Sequence, residues 1–213
     1  MLINGTKEFC YRICHINNLP HILREGLCNK HHPKADPHYI PIGNPSIIST
    51  RSAFPVKIPG YGNIGDYVSF YFTPRSMMLY NIVSGYYAPL VPKVLPEDII
   101  IFRCEVKTLA ALPRFFFTDG QANAAITKHY DDLRDLGEVD WFNIQHGNFG
   151  KANGDFDRPR RYQAEFLVDQ HVPLPAIESV FVYNAKAAIF VNKAAALLSI
   201  SLKATIKQLY YFI

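Results

Sequence analysis

The sequence predicts an α+β fold in one domain over residues 1–213. Runs rich in β-branched and aromatic residues are mixed with runs of helical periodicity, without the strict alternation of a parallel βαβ protein. With 49% hydrophobic and 19% charged residues, the chain can bury a sizeable core, which excludes disorder. We find no bilayer-spanning apolar run and no signal-peptide pattern, so we expect a cytoplasmic protein without membrane contact.

The first third of the sequence predicts a strand, a short helix, a long loop and a second strand. The opening strand covers residues 11–16, and the helix after it has an asparagine cap, a proline in its first turn and an end at Gly26. Residues 28–65 are rich in His, Pro, Gly and Asn and predict a loop, which at this length is usually functional. Residues 67–72 are aromatic and β-branched, and predict a strand.

The middle of the sequence predicts two helices and two strands. A short helix is expected over 76–83, and a largely apolar strand over 98–106, which we expect to be central in the sheet. A short aromatic strand over 115–117 runs into a turn at 119–120. Residues 123–136 then predict a helix.

The last third predicts three strands and one helix. Residues 145–160 are polar and rich in glycine, and precede a strand over 161–168. A strand over 180–183, an alanine-rich helix over 185–198 and a closing strand over 206–212 complete the prediction.

The small net charge of +4 is distributed unevenly along the chain. Residues 1–130 carry a net charge of +5, residues 131–178 a net −5, and the last 35 residues a net +4. The acidic middle is most simply a solvated helix face, whereas the basic remainder can attract a polyanion. The charge alone therefore permits a nucleic-acid partner without establishing one.

The cysteines are too few to cross-link a chain of this length. We interpret them as free thiols that fill apolar space. A zinc site is the alternative, but no Cys-x2-Cys pair occurs, so we expect no metal. The residues that this alternative would use are Cys10, Cys14, His15, Cys28, His31 and His32.

A carboxylate within the predicted strand 161–168 is the strongest sign of chemistry. On a strand, Gln163 and Glu165 share one face. An unpaired charge is costly to bury, so Glu165 needs a reason to be there. One interpretation is an ion pair at the strand mouth with Arg51, Arg75 or Arg161. The other is a catalytic carboxylate beside an amide that orients the substrate.

Short motifs follow one another in a specific order along nearly the whole chain. In chain order they are Tyr11-Arg12-Ile13-x-His15-x-x-Asn18-Leu19, Ile42-Gly43-Asn44-Pro45 leading to Arg51, Asp66-Tyr67-Val68-x-Phe70-Tyr71-Phe72-Thr73-Pro74, Ser76-x-Met78-Leu79, Phe115-x-Phe117-Thr118-Asp119, Asp140-Trp141, Arg161-Tyr162-Gln163-Ala164-Glu165 and Tyr210-Tyr211-Phe212. Each motif is weak alone, but the ordered set is specific, and it resembles that of the DarT-type DNA ADP-ribosyltransferase toxins.

The resemblance implies an ADP-ribosyltransferase-like fold, in which helices flank a central, mostly antiparallel, split β-sheet. It implies transfer of ADP-ribose from NAD to a base in single-stranded DNA, thymine first and guanine as the alternative. It places the catalytic glutamate at Glu165 and an essential arginine at Arg51. It also implies a macrodomain antitoxin, DarG, as partner, and we expect the toxin itself to be a monomer.

The resemblance also indicates residues for NAD, in the opening strand and beyond it. Many members have His and Thr where this chain has Arg12 and Cys14. His15 is a candidate for the adenosine side of NAD, or for a bond within its own strand. Asn18 belongs to the same motif, and Tyr71 is a candidate to stack on nicotinamide or on a base.

Single-stranded DNA requires cations and aromatic platforms, and an unpaired base exposes its N3 edge. We expect Gln163 to hold the acceptor base through its amide. Two alternatives remain open: the same fold acting on RNA or protein, and a nucleic-acid-binding module without catalysis. The basic candidates for the DNA groove are Lys34, Lys57, Arg75, Lys151, Arg158 and Arg160.

Overall fold

The computed structural model describes residues 8–152 and 154–212. Strands and helices alternate irregularly along this part of the chain. The strands are β1 Phe9–His15, β2 Leu27–Cys28, β3 Tyr67–Tyr71, β4 Ile99–Glu105, β5 Phe115–Thr118, β6 His129–Tyr130, β7 Glu165–Asp169, β8 His171–Val172, β9 Ser179–Val182 and β10 Ala204–Ile206. The helices are α1 Leu19–Glu25, α2 Pro45–Ala53, α3 Met77–Ser84, α4 Val106–Ala110, α5 Trp141–His146, α6 Arg158–Arg161 and α7 Ala185–Leu197.

An eight-stranded sheet organises the described residues, in the order β10-β9-β4-β1-β3-β7-β5-β6. Neighbouring strands are antiparallel except β10 and β9, which are parallel. β1 pairs with β4 along its whole length, but with β3 only at Tyr11 opposite Tyr71. The sheet therefore opens between β1 and β3, and the predicted mostly antiparallel split sheet is confirmed.

The apolar residues of the sheet are buried on both faces. The largest cluster packs α1 and α7 against β1, β4, β7 and β9. A second cluster packs α3 against the other side of β1 and β4. β4 has four consecutive fully buried residues over 99–102, as expected for a central strand. The core thus holds β1 and β3 in place on the two sides of the opening in the sheet.

Two segments predicted as irregular or purely extended contain helical turns. The 28–65 segment contains α2. Asn44 caps this helix, because its side chain accepts hydrogen bonds from the N–H groups of Ser46 and Ile47 in the first turn. The predicted strand 161–168 is wrong in its first half. Its beginning is the end of α6, and β7 starts only at Glu165.

Two further predictions are wrong. Residues 123–136 do not form a helix: they contain turns, the two-residue strand β6 and the first part of a 3-10 helix, Leu133–Glu138. The predicted closing strand 206–212 is also replaced. β10 ends at Ile206, and a 3-10 turn follows at Gln208–Tyr210.

Candidate active site

Glu165 and Arg51 form a bidentate ion pair at the split in the sheet. Arg51 Nη1 lies 2.9 Å from Glu165 Oε1, and Arg51 Nη2 lies 2.8 Å from Glu165 Oε2. The Glu165 side chain is 1% exposed and that of Arg51 is 14% exposed. Two parallel charge-assisted hydrogen bonds fix both groups in direction as well as distance.

Close packing of α2 on the turn before β3 places Arg51. Arg51 lies in the last turn of α2, and its Nη2 also donates to Ser69 Oγ at 2.8 Å. A Cβ on Gly65 would lie 2.5 Å from Ser52 Cα, so only glycine allows this approach of the backbone to the helix. The arginine is therefore positioned by backbone contact and by a hydroxyl from β3.

A third donor reaches the carboxylate from the loop between β5 and β6, residues 119–128, which we call the 119–128 loop. The Ala122 N–H donates to Glu165 Oε1 at 3.0 Å. Thr118, at the end of β5, accepts from the Glu165 N–H at 3.0 Å and donates to the Gly120 carbonyl at 2.6 Å. The 119–128 loop and the start of β7 are thus joined through both the side chain and the backbone of Glu165.

His129 supports the same loop in its neutral form. Its Nδ1 accepts from the Lys57 N–H at 3.0 Å, so Nε2 carries the proton and donates to the Ala122 carbonyl at 3.0 Å. Burial lowers the pKa of His129, and the nearby Lys57 cation lowers it further. The imidazole therefore braces the peptide whose N–H contacts Glu165.

The charges at the centre shift the pKa of neighbouring groups. Burial opposes the charge of Arg51, but the Glu165 carboxylate beside it raises the pKa of this guanidinium. Burial raises the pKa of the Tyr71 hydroxyl, and the negative charge of Glu165 raises it further. Tyr71 lies directly opposite Glu165 in the β3–β7 register. The site thus presents a carboxylate, a guanidinium and a neutral phenol.

A small hollow between β1, α1 and the segment that carries Tyr39 is lined in part by Arg12 of β1. Arg12 Nη1 donates to the Ser69 carbonyl at 2.9 Å, across the opening between β1 and β3. Its Nε is buried and finds no acceptor among the described residues. The hollow is lined by Arg12, Asn18, His21, Ile22, Gly26, Leu27, Cys28, Asp36 and Tyr39. A buried cation with a free donor suits a polar, anionic group.

Cys14 and Tyr39 flank the Arg12 guanidinium. The Tyr39 hydroxyl donates to Cys14 Sγ at 3.6 Å. Burial opposes the charge of Arg12, but Tyr39 and Cys14 beside it raise its pKa. Cys14, a candidate from sequence, therefore contacts the hollow indirectly, through the tyrosine and the guanidinium.

His15 and Asn18 both bond to the backbone, but of the two only Asn18 lines the hollow. His15 Nδ1 accepts from the Asn17 N–H at 3.2 Å, within its own segment. The Asn18 amide exchanges two hydrogen bonds with the Ile40 backbone, each 2.9 Å long. Asn18 thereby holds the segment that carries Tyr39 against β1 and α1.

Gln163 does not lie on β7, the strand that begins at Glu165. It follows α6, and its Nε2 donates to the Pro159 carbonyl at 2.8 Å. The prediction that Gln163 and Glu165 share a strand face is wrong because the helical turn of α6 continues into residues 162–163. Along the chain, only Ala164 separates Gln163 from Glu165.

Arg75 and Lys151 differ in how far they are engaged. Arg75 Nη1 donates to the Leu209 carbonyl at 2.6 Å, and its guanidinium lies 4.2 Å from the centre of the Phe212 ring. Lys151 is exposed. Arg75 is thus partly committed to the C-terminal segment.

The α6 arginines take part in a network of aspartates. Arg158 Nε lies 3.3 Å from Asp155 Oδ2. Arg160 pairs with Asp157 at 2.8 Å and with Asp119 at 2.9 Å, and its side chain is 14% exposed. Arg160 is therefore the more enclosed of these two candidates.

Lys34 and Lys57 are engaged within the chain. Lys34 Nζ lies 2.9 Å from Glu25 Oε2 on α1. Lys57 Nζ donates to the Ala125 and Thr127 carbonyls at 2.6 and 2.7 Å, and so supports the 119–128 loop.

The sequence argument missed three groups of the site. Ser69 carries a signal, because it is the polar residue in an otherwise apolar and aromatic strand. Tyr39 is an aromatic side chain in a polar loop, which is a weaker signal. The Ala122 N–H has no sequence signature, since any residue other than proline supplies a backbone donor.

Neither a metal cluster nor a membrane-spanning helix occurs in the part of the chain that the structure describes. Over residues 8–152 and 154–212, no three His, Cys, Asp or Glu side chains are grouped to hold a metal ion. In the same ranges, every helix is too short or too polar to cross a lipid bilayer.

Comparison with known proteins agrees with this geometry. The family described as "ssDNA thymidine ADP-ribosyltransferase, DarT" matches residues 11–212. A DNA ADP-ribosyl transferase of Escherichia coli O127:H6 is 37% identical over 185 residues, which cover 85% of this chain and 83% of the relative.

Two solved structures have the same fold over almost the whole chain. Thermus sp. 2.9 DarT in complex with ADP-ribosylated ssDNA matches with a TM-score of 0.84 and 29% identity, covering 96% of each chain. Thermus sp. 2.9 DarT in complex with NAD+ matches with a TM-score of 0.79 and 28% identity, covering 97% of this chain and 98% of the other. The chain therefore belongs to the DarT family of single-stranded-DNA thymidine ADP-ribosyltransferases.

Proposed function

We propose that this chain transfers ADP-ribose from NAD to thymine in single-stranded DNA and releases nicotinamide. The observation that carries the proposal is the buried Glu165 carboxylate, held by Arg51 and the Ala122 N–H. Arg51 and Arg12 both donate to Ser69, and Arg12 Nε has no acceptor among the described residues. Membership in the DarT family supports the same activity.

The reaction breaks the bond between nicotinamide nitrogen and ribose C1′, and forms a bond between C1′ and N3 of thymine. Positive charge builds on the ribose as the first bond breaks, and hydrogen bonds to its 2′-hydroxyl strengthen. Glu165 accepts that hydrogen bond and stabilises the charge. The bonding pair leaves with nicotinamide, which becomes neutral, and the N3 proton passes to the carboxylate.

Arg51 and the residues of the opening strand bind NAD in this proposal. Arg51 fixes the carboxylate and adds a permanent cation for the pyrophosphate or the developing anionic base. Arg12 offers its free Nε–H to the dinucleotide. Tyr71 faces Arg51 and Glu165, and offers its ring to nicotinamide. The other residues that we assign to the walls of the NAD site are Cys14, His15 and Asn18.

DNA approaches from the side of α6 and the polar segment before it. We assign the acceptor base to Gln163, which follows α6 just before the catalytic strand. Arg75, Lys151 and Arg158 are the cations that we assign to the phosphates. A base whose N3 edge is paired in a duplex cannot reach Glu165, so the substrate is single-stranded.

The biological setting of the proposal is a toxin–antitoxin pair. A DNA base modified by a bulky nucleotide blocks templating, so a cell that makes this enzyme needs a means of removing the mark. We propose the macrodomain antitoxin DarG as that partner. The enzyme acts as a monomer in the cytoplasm, where NAD and unpaired DNA occur together.

Labelled NAD and a panel of short single strands test the proposal. We expect label on thymine-containing DNA, identified by mass spectrometry, and none on RNA, protein or oligonucleotides without thymine. Glu165→Gln should remove transfer. Glu178→Gln is the matched control, since Glu178 pairs with Arg103 at the surface. Label on guanine, RNA or protein instead of thymine would refute the acceptor, and an active Glu165→Gln would refute the site.

A further inference from the structure

The contacts of Arg160 differ from those of a residue that binds DNA. Arg160 Nη1 donates to Asp119 Oδ1 at 2.9 Å and to Thr127 Oγ1 at 3.0 Å. Its Nε and Nη2 donate to the two oxygens of Asp157, each at 2.8 Å. Four of the five guanidinium N–H groups thus have partners within the chain. A phosphate would have to displace two carboxylates.

Asp119 and Thr127 stand at opposite ends of the 119–128 loop. The Lys128 N–H also donates to Asp119 Oδ1 at 2.9 Å, and Thr127 Oγ1 donates to the Gln121 carbonyl at 2.8 Å. Arg160 therefore bridges the two ends of the loop, because its Nη1 donates to both Asp119 and Thr127. Asp157 fixes the orientation of the guanidinium, because it accepts hydrogen bonds from the other two nitrogens, Nε and Nη2.

A backbone contact continues from this neck to the carboxylate. The Gln121 N–H donates to the Arg160 carbonyl at 3.0 Å, and the next N–H along the chain, that of Ala122, donates to Glu165 Oε1 at 3.0 Å. Gly120 packs so closely on Arg160 that a Cβ there would lie 2.3 Å from Nη1. The guanidinium thus sits against the peptide that leads to the catalytic donor.

We infer that Arg160 is a positioning residue, which holds the 119–128 loop so that the Ala122 N–H is aimed at Glu165. This inference rests on the transfer reaction proposed above. Without the Arg160 contacts to Asp119 and Thr127, the loop can shift relative to Glu165. A misplacement of about 1 Å at a catalytic group lowers turnover by up to roughly 100-fold. The residue acts on the chemical step and not on DNA affinity.

Two substitutions of opposite charge distinguish this role from DNA binding. Arg160→Gln removes a cation and Asp119→Asn removes an anion, yet both open the same clamp. We expect each to lower kcat roughly 10- to 100-fold at saturating NAD and oligonucleotide. We expect the Kd for the oligonucleotide to change less than about twofold. Arg160→Lys should recover part of the lost kcat, since a single ammonium can still contact Asp119.

Controls separate this outcome from unfolding and from failure of the proposed function. Arg103→Gln breaks a comparable ion pair, with Glu178, and should leave kcat unchanged. Thermal unfolding of each variant identifies the fraction folded, to which kcat is normalised. An inactive parent chain would refute the transfer reaction, and the inference with it.

Three results with an active parent would overturn the inference alone. The first is an unchanged kcat in both folded variants. The second is opposite effects on DNA affinity, weaker for Arg160→Gln and tighter for Asp119→Asn. The third is a salt dependence of binding whose slope falls by about one unit in Arg160→Gln, the mark of a lost phosphate contact.

Discussion

We expect removal of Arg51 to destabilise the protein more than removal of Glu165, and we expect either change to abolish transfer. Arg51→Met leaves the Glu165 carboxylate, which is 1% exposed, with one hydrogen-bond donor among the described residues, the backbone N–H of Ala122. Breaking a buried ion pair in this way costs about 3–5 kcal/mol. Glu165→Gln leaves Arg51 14% exposed, with its Ser69 bond intact. Water and the hydroxyl then reduce the cost to about 1–2 kcal/mol.

Thermal and urea unfolding measure the difference. For a chain of this size, about 3 kcal/mol corresponds to a Tm lower by roughly 6–12 °C in Arg51→Met, and the Tm of Glu165→Gln should fall by half of that or less. The double variant Arg51→Met with Glu165→Gln should be more stable than Arg51→Met alone, since no buried charge then lacks a partner. Equal losses in the two single variants, or no recovery in the double variant, would refute this account of the pair.

Three further predictions concern the supports of the site. Because burial lowers the pKa of His129, the unfolded chain binds this proton more tightly, so stability should fall as the pH drops below about 6.5. In His129→Asn, the free energy of unfolding measured at a series of pH values should not show this loss. Gly65→Ala, whose Cβ would lie 2.5 Å from Ser52 Cα, should displace α2 and lower turnover roughly tenfold in steady-state assays. Tyr39→Phe removes the donor to Cys14 and should raise the KM for NAD about fivefold in initial-rate measurements, with little change in Tm.

Strong local patterns predicted the fold correctly where burial and β propensity agree. The strand expected over 98–106 is β4, and that expected over 67–72 is β3, both with largely buried apolar residues. The helix expected over 185–198 is α7, and the structure adds a cap by Asn184, whose side chain accepts from the Ala187 N–H. In these elements the chain's own preferences and the tertiary packing favour the same structure.

The failures lie where side-chain networks override propensity. Residues 123–136 contain helix formers, but bonds from Lys57 and Arg160 hold their first part as turns. The extended prediction over 161–168 overlooked Pro159, which is typical of a first helical turn and marks α6. That signal was available in the sequence, whereas the clamp on the loop depends on distant residues and was not.

The centre of the site could be predicted in its residues but not in its pairing. Pattern alone left Arg51, Arg75 and Arg161 as possible partners of Glu165, and a resemblance placed Arg51 in the site. The structure assigns the pair because Gly65 admits α2 to the sheet and Ser69 holds the guanidinium. Such a choice depends on contacts between elements far apart in sequence, which no local window contains.

The opening between β1 and β3 is bounded by pieces from widely separated parts of the polypeptide. Arg12 lies on β1, Arg51 on α2 and Glu165 at the start of β7. A chain break between Arg51 and Glu165 would place the two members of the buried ion pair on different fragments. On the function proposed above, we therefore expect either fragment alone to be inactive.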